Sequence, residues 1–194
     1  HSLIAARRLV PEAKVAIDVN FWATRLRRAL TIRERLYSTP CYRLIHSEAD
    51  GFPGLIIDRY GAALVAQVNS AGMERALPNL LEAIDTVLAP ETVVIRADSK
   101  VRELEGLERY VRIARGQLDG PVELEEDGMR ALADLEGGQK TGWYYDQRDN
   151  RRFAARLAAN ARVLDLYCSS GGFALAAARA GAHSVVGLDS SVGA

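Results

Sequence analysis

Residues 162–189 read RVLDLYCSSGGFALAAARAGAHSVVGLD. A buried-strand run, 162–167, leads into a turn with two adjacent glycines. A helical run, 173–180, then precedes a second strand-like run, 184–188, which ends at Asp189. This order is typical of the opening of a Rossmann-like nucleotide site: a strand, a glycine turn, a helix, a second strand and an acid. The stretch therefore predicts an α/β unit in the last part of the chain.

The turn and the acid predict the kind of ligand. Gly171 and Gly172 would let the backbone approach a ligand closely, and the helix that follows would present free N–H groups at its N-terminus. Asp189 could accept two hydrogen bonds from a ribose diol. We therefore expect a ligand that carries a nucleoside.

The same turn argues against a dinucleotide. That fingerprint is G-x-G-x-x-G, whereas here two adjacent glycines are followed by the bulky Phe173. Asp165, within the first strand, would be unfavourable beside a pyrophosphate and favourable near a cation. We therefore expect S-adenosylmethionine, which carries a sulfonium and an amino group, and keep an NAD-linked oxidoreductase as an alternative.

The segment before this unit has a different character. Residues 129–134 alternate like a strand, and a glycine-rich, polar and aromatic loop follows over 135–146. We interpret Lys140 in this loop as an unpaired cation that could bind a carboxylate or a phosphate of a ligand. The next helix carries four arginines, Arg148, Arg151, Arg152 and Arg156. The first three could contact RNA phosphates or form an ordinary exposed helix face.

Residues 40–120 predict a compact α+β domain of its own, preceded by a basic helix. We expect a helix over 21–36, capped by Asp18 or Asn20, and a helix over 70–88 that restarts at Pro78. The strand-like runs are 42–45, 54–58, 63–68, 92–95, 110–114 and 122–125. The first three should form an antiparallel meander, because turn residues separate them closely. This region carries no cluster of His, Cys or carboxylates with metal-ligand spacing.

Composition excludes several classes of protein. The 194 residues carry 25 basic and 25 acidic side chains, and no run approaches the roughly 18 apolar residues of a membrane span. Two cysteines, Cys41 and Cys168, are too few for a disulfide framework, so we expect a cytoplasmic protein with no membrane partner. Residues 1–36 hold eight bases and three acids. Such a bias is typical of an end that binds a polyanion or of a solvated helix face.

Several motifs together resemble one family. They are YRLI at 42–45, DGFPGLIIDRYG at 50–61, LEGGQKTG at 135–142, DQRDNR at 146–151 and VLDLYCSSGGF at 163–173. In this order they are similar to class I S-adenosylmethionine-dependent methyltransferases that form 5-methylcytosine in large-subunit ribosomal RNA.

The resemblance implies a fold of mixed class, α/β and α+β. Residues 1–38 would be the end of a PUA-like domain and a basic linker helix. The run at 3–7 itself predicts the last strand of such an upstream domain. Residues 39–125 would be the middle α+β domain, and 126–194 the first part of the Rossmann-like domain. On this reading the chain is a piece truncated at both ends, with ribosomal RNA as the partner of the whole protein.

The resemblance also implies a set of cofactor-binding positions. They are Lys140, Thr141, Tyr144, Asp165, Ser169, Gly171, Gly172, Asp189 and Ser190. Asp165, Ser169 and the two glycines would surround the methionine part of the cofactor. Asp189 would hold the ribose with Ser190 nearby, and the loop over 139–142 would close over the pocket beside Tyr144 and Asp146.

In this family a cysteine thiolate attacks C6 of the base, and the resemblance implies that this cysteine and an Asp-Pro-Pro segment lie beyond the second strand. Cys168 sits in the cofactor turn and is not expected to replace it. We therefore expect no catalytic residue and no activity from the chain alone, and exposed strand edges that could lead to a homodimer. The alternatives are an RNA methyltransferase of another base specificity and a non-catalytic RNA-binding protein.

Overall fold

The computed structural model describes residues 6–191. The predicted strand near residues 3–7 lies mostly outside them. The chain divides between Leu118 and Asp119 into two compact units, called here the first and the second unit. The predicted domain boundary at 125/126 lies within the second unit, because residues 122–126 pair with another strand of that unit. The domain assignment stays a prediction. The PUA-like nature of residues 1–38 stays a prediction.

The first unit is a five-stranded sheet covered by two helices. Its elements are α1 (Val19–Leu36), β1 (Cys41–His46), β2 (Leu55–Tyr60), β3 (Ala63–Val68), α2 (Ala71–Leu88), β4 (Thr92–Ala97) and β5 (Tyr110–Arg115). The strands lie in the order β1-β2-β3-β4-β5, and all neighbours are antiparallel except β3 and β4. The predicted antiparallel meander of the first three strands is confirmed.

The core of the first unit lies where the helices meet the sheet. α1 and α2 pack against each other, and Trp22 and Leu26 of α1 share one apolar cluster with Leu80 and Ile84 of α2. Of the two predicted caps, Asp18 is the one used, because its carboxylate accepts the N–H of Phe21 at 2.9 Å.

The predicted restart of the second helix at Pro78 is wrong. α2 runs without interruption from Ala71 to Leu88, with Ser70 as its N-cap. Proline inside a helix costs about 3 kcal/mol or more, because it removes a hydrogen bond and crowds the preceding turn. Pro78 is exposed, whereas Leu77, Leu80 and other residues of α2 are buried. The burial of that apolar face therefore outweighs the local cost.

The second unit places two helices beside two small sheets. Its elements are β6 (Val122–Glu126), β7 (Met129–Ala133), α3 (Arg148–Ala155), β8 (Arg162–Leu166), α4 (Gly172–Arg179) and β9 (Ser184–Leu188). β6 and β7 form an antiparallel hairpin, and β8 and β9 form a parallel pair with α4 as the crossover between them. The strand, helix and strand predicted from residues 162–189 are therefore present in the predicted order.

β8 is more exposed than a buried strand would be. Leu164 and Leu166 are 58% and 55% exposed, and Val186 and Leu188 of β9 are similarly exposed. In the described residues β8 pairs only with β9, so apolar side chains and strand edges remain uncovered. The expectation of a buried strand was therefore wrong, whereas the expected exposed apolar surface is present. A homodimer through this surface stays a prediction.

Candidate functional site

The second unit contains a cavity of about 490 Å³ at the carboxyl ends of β8 and β9. Its wall comes from the loop over 139–147, the loop after β8, the start of α4 and the residues after β9. The lining residues are Gln139, Lys140, Trp143, Tyr144, Gln147, Arg151, Tyr167, Cys168, Ser169, Ser170, Gly172, Phe173, Asp189 and Ser190. Six of the nine predicted cofactor positions are among them; Thr141, Asp165 and Gly171 are not.

The loop after β8 has an unusual backbone. Tyr167, Ser169 and Gly171 all have left-handed φ angles, of 60°, 48° and 76°. For a residue other than glycine this region costs roughly 1–2 kcal/mol. Only Gly171 can adopt it freely, and a Cβ there would meet open space. The loop is thus a strained turn, of the kind often found at ligand sites.

Asp189 fixes this loop to the end of β9. Its carboxylate accepts the N–H of Ser169 and the N–H of Ser191, each at 2.8 Å. The hydrogen bonds from Ser191 and Ser169 lower the pKa of Asp189 below the ordinary value of an aspartate. The side chain is therefore ionised at neutral pH and retains lone pairs that can accept hydroxyl groups.

The N-terminus of α4 faces the cavity at Gly172 and Phe173. The first N–H groups of a helix have no partner within the helix, and that of Ala174 is bound by the carboxylate of Asp165 at 2.9 Å. Asp165 thus joins β8 to α4. Its predicted contact with the methionine part of a cofactor stays a prediction.

Gly172 has a packing reason for being glycine. A Cβ at this position would lie 3.1 Å from Cδ of Arg151 and 3.3 Å from Cη2 of Trp143. The sequence pattern predicted that glycine stands here to let a ligand approach. In the structure, Arg151 and Trp143 already lie against that side of Gly172.

The loop over 139–147 holds its charged and aromatic side chains together. Nζ of Lys140 lies 3.4 Å from a carboxylate oxygen of Asp146 and 4.3 Å from the ring centroid of Tyr144. The Tyr144 hydroxyl donates a hydrogen bond to Oε1 of Gln139. The interpretation of Lys140 as unpaired is therefore wrong. Thr141 is fully buried and its hydroxyl lies 3.4 Å from the Trp143 carbonyl, so it shapes the loop from inside.

The predicted RNA-contacting arginines separate into two kinds. Arg148 is buried and bound to Asp127 at 2.6 Å, and Arg151 is buried and bound to Glu126. Arg152 has a side chain that is 65% exposed, with carboxylates no closer than 3.5 Å. Both predicted alternatives are wrong for Arg148 and Arg151. They do not lie on an exposed helix face, and carboxylates of the same unit already hold the guanidinium groups that would contact RNA phosphates.

A buried network that the sequence patterns did not predict lies behind the cavity. Glu126 accepts hydrogen bonds from Nε and Nη2 of Arg151, each at 2.8 Å, and from Nε1 of Trp143 at 3.1 Å. The Arg151 guanidinium lies 4.8 Å from the Trp143 ring centroid. The alternation of β6 contained a signal, because Leu124 and Glu126 lie on the same face of the strand and both are buried.

Comparison with known proteins adds to this geometry. Residues 61–194 match the family profile of S-adenosylmethionine-dependent methyltransferases. The chain is 39% identical over 194 residues to ribosomal RNA large subunit methyltransferase I of Shigella boydii, covering 98% of the chain and 49% of that protein. The protein of the same name from Photobacterium profundum is 40% identical over 185 residues, covering 93% and 46%. The chain therefore spans about half the length of these relatives.

A solved structure supports the fold. A proposed S-adenosylmethionine-dependent methyltransferase from Streptococcus mutans superposes with a TM-score of 0.81 at 23% identity, covering 95% of this chain and 48% of that one. The predicted mixed fold with a Rossmann-like part is confirmed. Separately, no helix within residues 6–191 has the length and apolar character needed to cross a membrane.

Proposed function

Because the chain belongs to the S-adenosylmethionine-dependent methyltransferase family, we propose that the cavity of the second unit binds S-adenosylmethionine as the methyl donor for ribosomal RNA. The observation that carries the proposal is the position of Asp189 and the α4 N-terminus on one cavity wall, at the carboxyl ends of β8 and β9. In open α/β sheets, ligands bind at this end of the strands.

The residues of the cavity fit this cofactor. A volume of about 490 Å³ lies within the range of pockets that take small organic ligands. Asp189 would accept the ribose hydroxyls, and the N–H groups of Gly172 and Phe173 offer donors for the anionic end of the molecule. Tyr167 and Phe173 offer aromatic surface. When bound, S-adenosylmethionine supplies an electrophilic methyl group on its sulfonium.

The chain's own residues would orient the ligand and limit its contact with water. An ionised Asp189 acts only as a hydrogen-bond acceptor, and its lowered pKa keeps the carboxylate ionised. Lys140 and Tyr144 form a pair on the loop over 139–147. That loop contributes one side of the cavity, so it would cover the ligand opposite Ser169 and Ser170.

The substrate proposal comes from the relatives. Two proteins named ribosomal RNA large subunit methyltransferase I align with 93% or more of the chain at 39–40% identity. We extend this to cytosine, with methylation at C5, on the motifs quoted above. The whole protein would then extrude the base from structured RNA before transfer.

Neither cysteine of the chain suits the nucleophilic step that this reaction needs. Cys41 is 5% exposed in the first unit. Cys168 lines the cavity, and its Sγ lies 3.1 Å from the position of a Cβ on Gly187 in β9. We therefore propose that the chain alone binds the cofactor product without transferring a methyl group to RNA.

Calorimetry with three ligands tests the proposal. The chain is titrated with S-adenosylhomocysteine, then NADH, then a short RNA hairpin, and the Asp189→Ala variant is titrated alongside. We expect one site for S-adenosylhomocysteine, which is lost or at least tenfold weaker in the variant, and none for NADH. Binding of NADH alone would support an oxidoreductase, and RNA binding unaffected by Asp189→Ala without cofactor binding would support a non-catalytic RNA-binding protein.

A further inference from the structure

Glu126 is a carboxylate buried at the end of β6. It is 2% exposed, and both of its oxygens accept hydrogen bonds from the Arg151 guanidinium. The Arg151 side chain is 4% exposed. Trp143 adds a third donor, so the acid is surrounded by hydrogen-bond donors inside the second unit.

Stability alone is a weak reason for such a pair. The cost of removing two charges from water can exceed their attraction, and apolar side chains of similar volume often replace a buried ion pair without loss of stability. The position of the pair is more informative. Arg151 and Trp143 both line the cavity, whereas Glu126 does not.

The partners of Glu126 contact two parts of the cavity wall. Nη1 of Arg151 donates a hydrogen bond to the Tyr144 carbonyl at 3.0 Å, which fixes the loop over 139–147. Arg151 and Trp143 also lie against Gly172, at about 3.1–3.3 Å from where a side chain would begin. Gly172 is the first residue of α4. One carboxylate therefore orients the two side chains on which both the loop and the helix N-terminus rest.

We propose that Glu126 is a positioning residue for the cofactor: through Arg151 and Trp143 it sets the distance between the loop over 139–147 and the N-terminus of α4. The inference rests on the proposed function, because it needs this cavity to be the cofactor site. Glu126 itself does not touch the ligand.

The deciding variant replaces the pair with apolar residues of similar length, Glu126→Met together with Arg151→Met. A control removes the charges of the neighbouring ion pair of the same unit, as Asp127→Asn together with Arg148→Met. Asparagine is chosen because residue 127 has a left-handed φ of 52°, which asparagine tolerates. For each protein we measure the thermal midpoint and the dissociation constant of S-adenosylhomocysteine.

We expect the Glu126/Arg151 double variant to melt within a few degrees of the wild type and to bind S-adenosylhomocysteine about tenfold more weakly, the effect of about one well-placed hydrogen bond. The control should retain wild-type affinity. Wild-type affinity in the Glu126/Arg151 variant would overturn the inference and leave the proposed function intact. No binding by the wild type would overturn the proposed function, and the inference with it.

A second variant decides the question if the double variant does not fold. Arg151→Lys keeps the charge but loses the fork that reaches both Glu126 oxygens and the Tyr144 carbonyl. Weaker binding of S-adenosylhomocysteine with a near-normal thermal midpoint would support the inference. Unchanged binding would overturn it.

Discussion

The carboxylate of Asp189 accepts the backbone N–H of Ser169 at 2.8 Å, which joins the end of β9 to the strained loop after β8. The same carboxylate accepts the N–H of Ser191. One acid thus holds the loop conformation and presents its remaining lone pairs to the cavity. Its ionisation therefore affects both the stability of the second unit and the binding of a ligand.

The lowered pKa of Asp189 predicts how its contribution changes with pH. A carboxylate whose pKa is lower in the folded state stabilises that state above its unfolded pKa of about 3.9. This stabilisation is lost as the pH falls through the folded pKa. We therefore expect the difference in unfolding free energy between the wild type and Asp189→Asn to be largest at neutral pH and to disappear at strongly acidic pH. Urea denaturation of both proteins across a pH series measures it, and a difference that grows on acidification would contradict the assignment.

The substitution Gly171→Ala should lower stability mainly through the backbone conformation. The residue has a φ of 76°, and a Cβ would meet no atom within 4 Å. We expect Gly171→Ala to lower the free energy of unfolding by about 1 kcal/mol, because alanine adopts the left-handed region at a cost. Urea denaturation measures the loss. An unchanged free energy of unfolding would mean that the loop relaxes to another conformation.

The substitution Gly172→Ala should instead weaken ligand binding through its contacts with neighbouring side chains. Its Cβ would press on Arg151 and Trp143 at 3.1–3.3 Å, and one of these side chains must move. We expect weaker binding of S-adenosylhomocysteine with a smaller change in thermal midpoint than the crowding of a rigid core would cause. Calorimetry and thermal melting of the same preparations check this. Full affinity in Gly172→Ala would show that the cavity does not depend on these two side chains.

Substitutions at the neighbouring Arg151 and Arg152 should differ sharply in their effect on the unfolding free energy. Arg151→Met leaves Glu126 buried without its cation, and we expect a loss of about 3 kcal/mol or more in unfolding free energy. Arg152→Met removes a side chain that is 65% exposed, and we expect a change within about 0.5 kcal/mol. Urea denaturation of both variants compares them directly. Equal effects would contradict the buried ion pair.

Replacing Pro78 should stabilise the first unit. The residue is exposed inside the continuous helix α2, where proline costs about 3 kcal/mol and alanine costs nothing. Part of this gain is offset, because alanine gives the unfolded chain more freedom, by about 0.4–1 kcal/mol. We therefore expect Pro78→Ala to raise the unfolding free energy by about 2 kcal/mol. A destabilised variant would indicate that the proline ring makes a packing contact.

The sequence was sufficient to predict the βαβ unit, whereas the binding roles of its site residues stay predictions. Glycine and acid positions mark the ends of strands, and the parallel pairing of β8 and β9 then brings Ser169 and Asp189 together. This local rule explains why Asp189 could be predicted at the end of the second strand, whereas Ser190 came from the family resemblance. Boundaries of strands such as β3 also follow from their short apolar runs.

The sequence was not sufficient for the network behind the cavity. Glu126 and Arg151 are 25 residues apart, and each alone is typical of an exposed position. The alternation of β6 indicates the burial of Glu126 alone. The burial of Arg151 depends on how the β6–β7 hairpin meets α3, which no local pattern encodes. The predicted helix restart at Pro78 was wrong for a similar reason, because tertiary burial of one helix face outweighs a local preference.

The most direct test of the account is a crystal structure of the chain with S-adenosylhomocysteine. We predict ligand density in the cavity between the loop over 139–147 and the loop after β8, with the ribose hydroxyls on Asp189. Ligand bound elsewhere on the second unit, or in this cavity without contact to Asp189, would contradict the central claim.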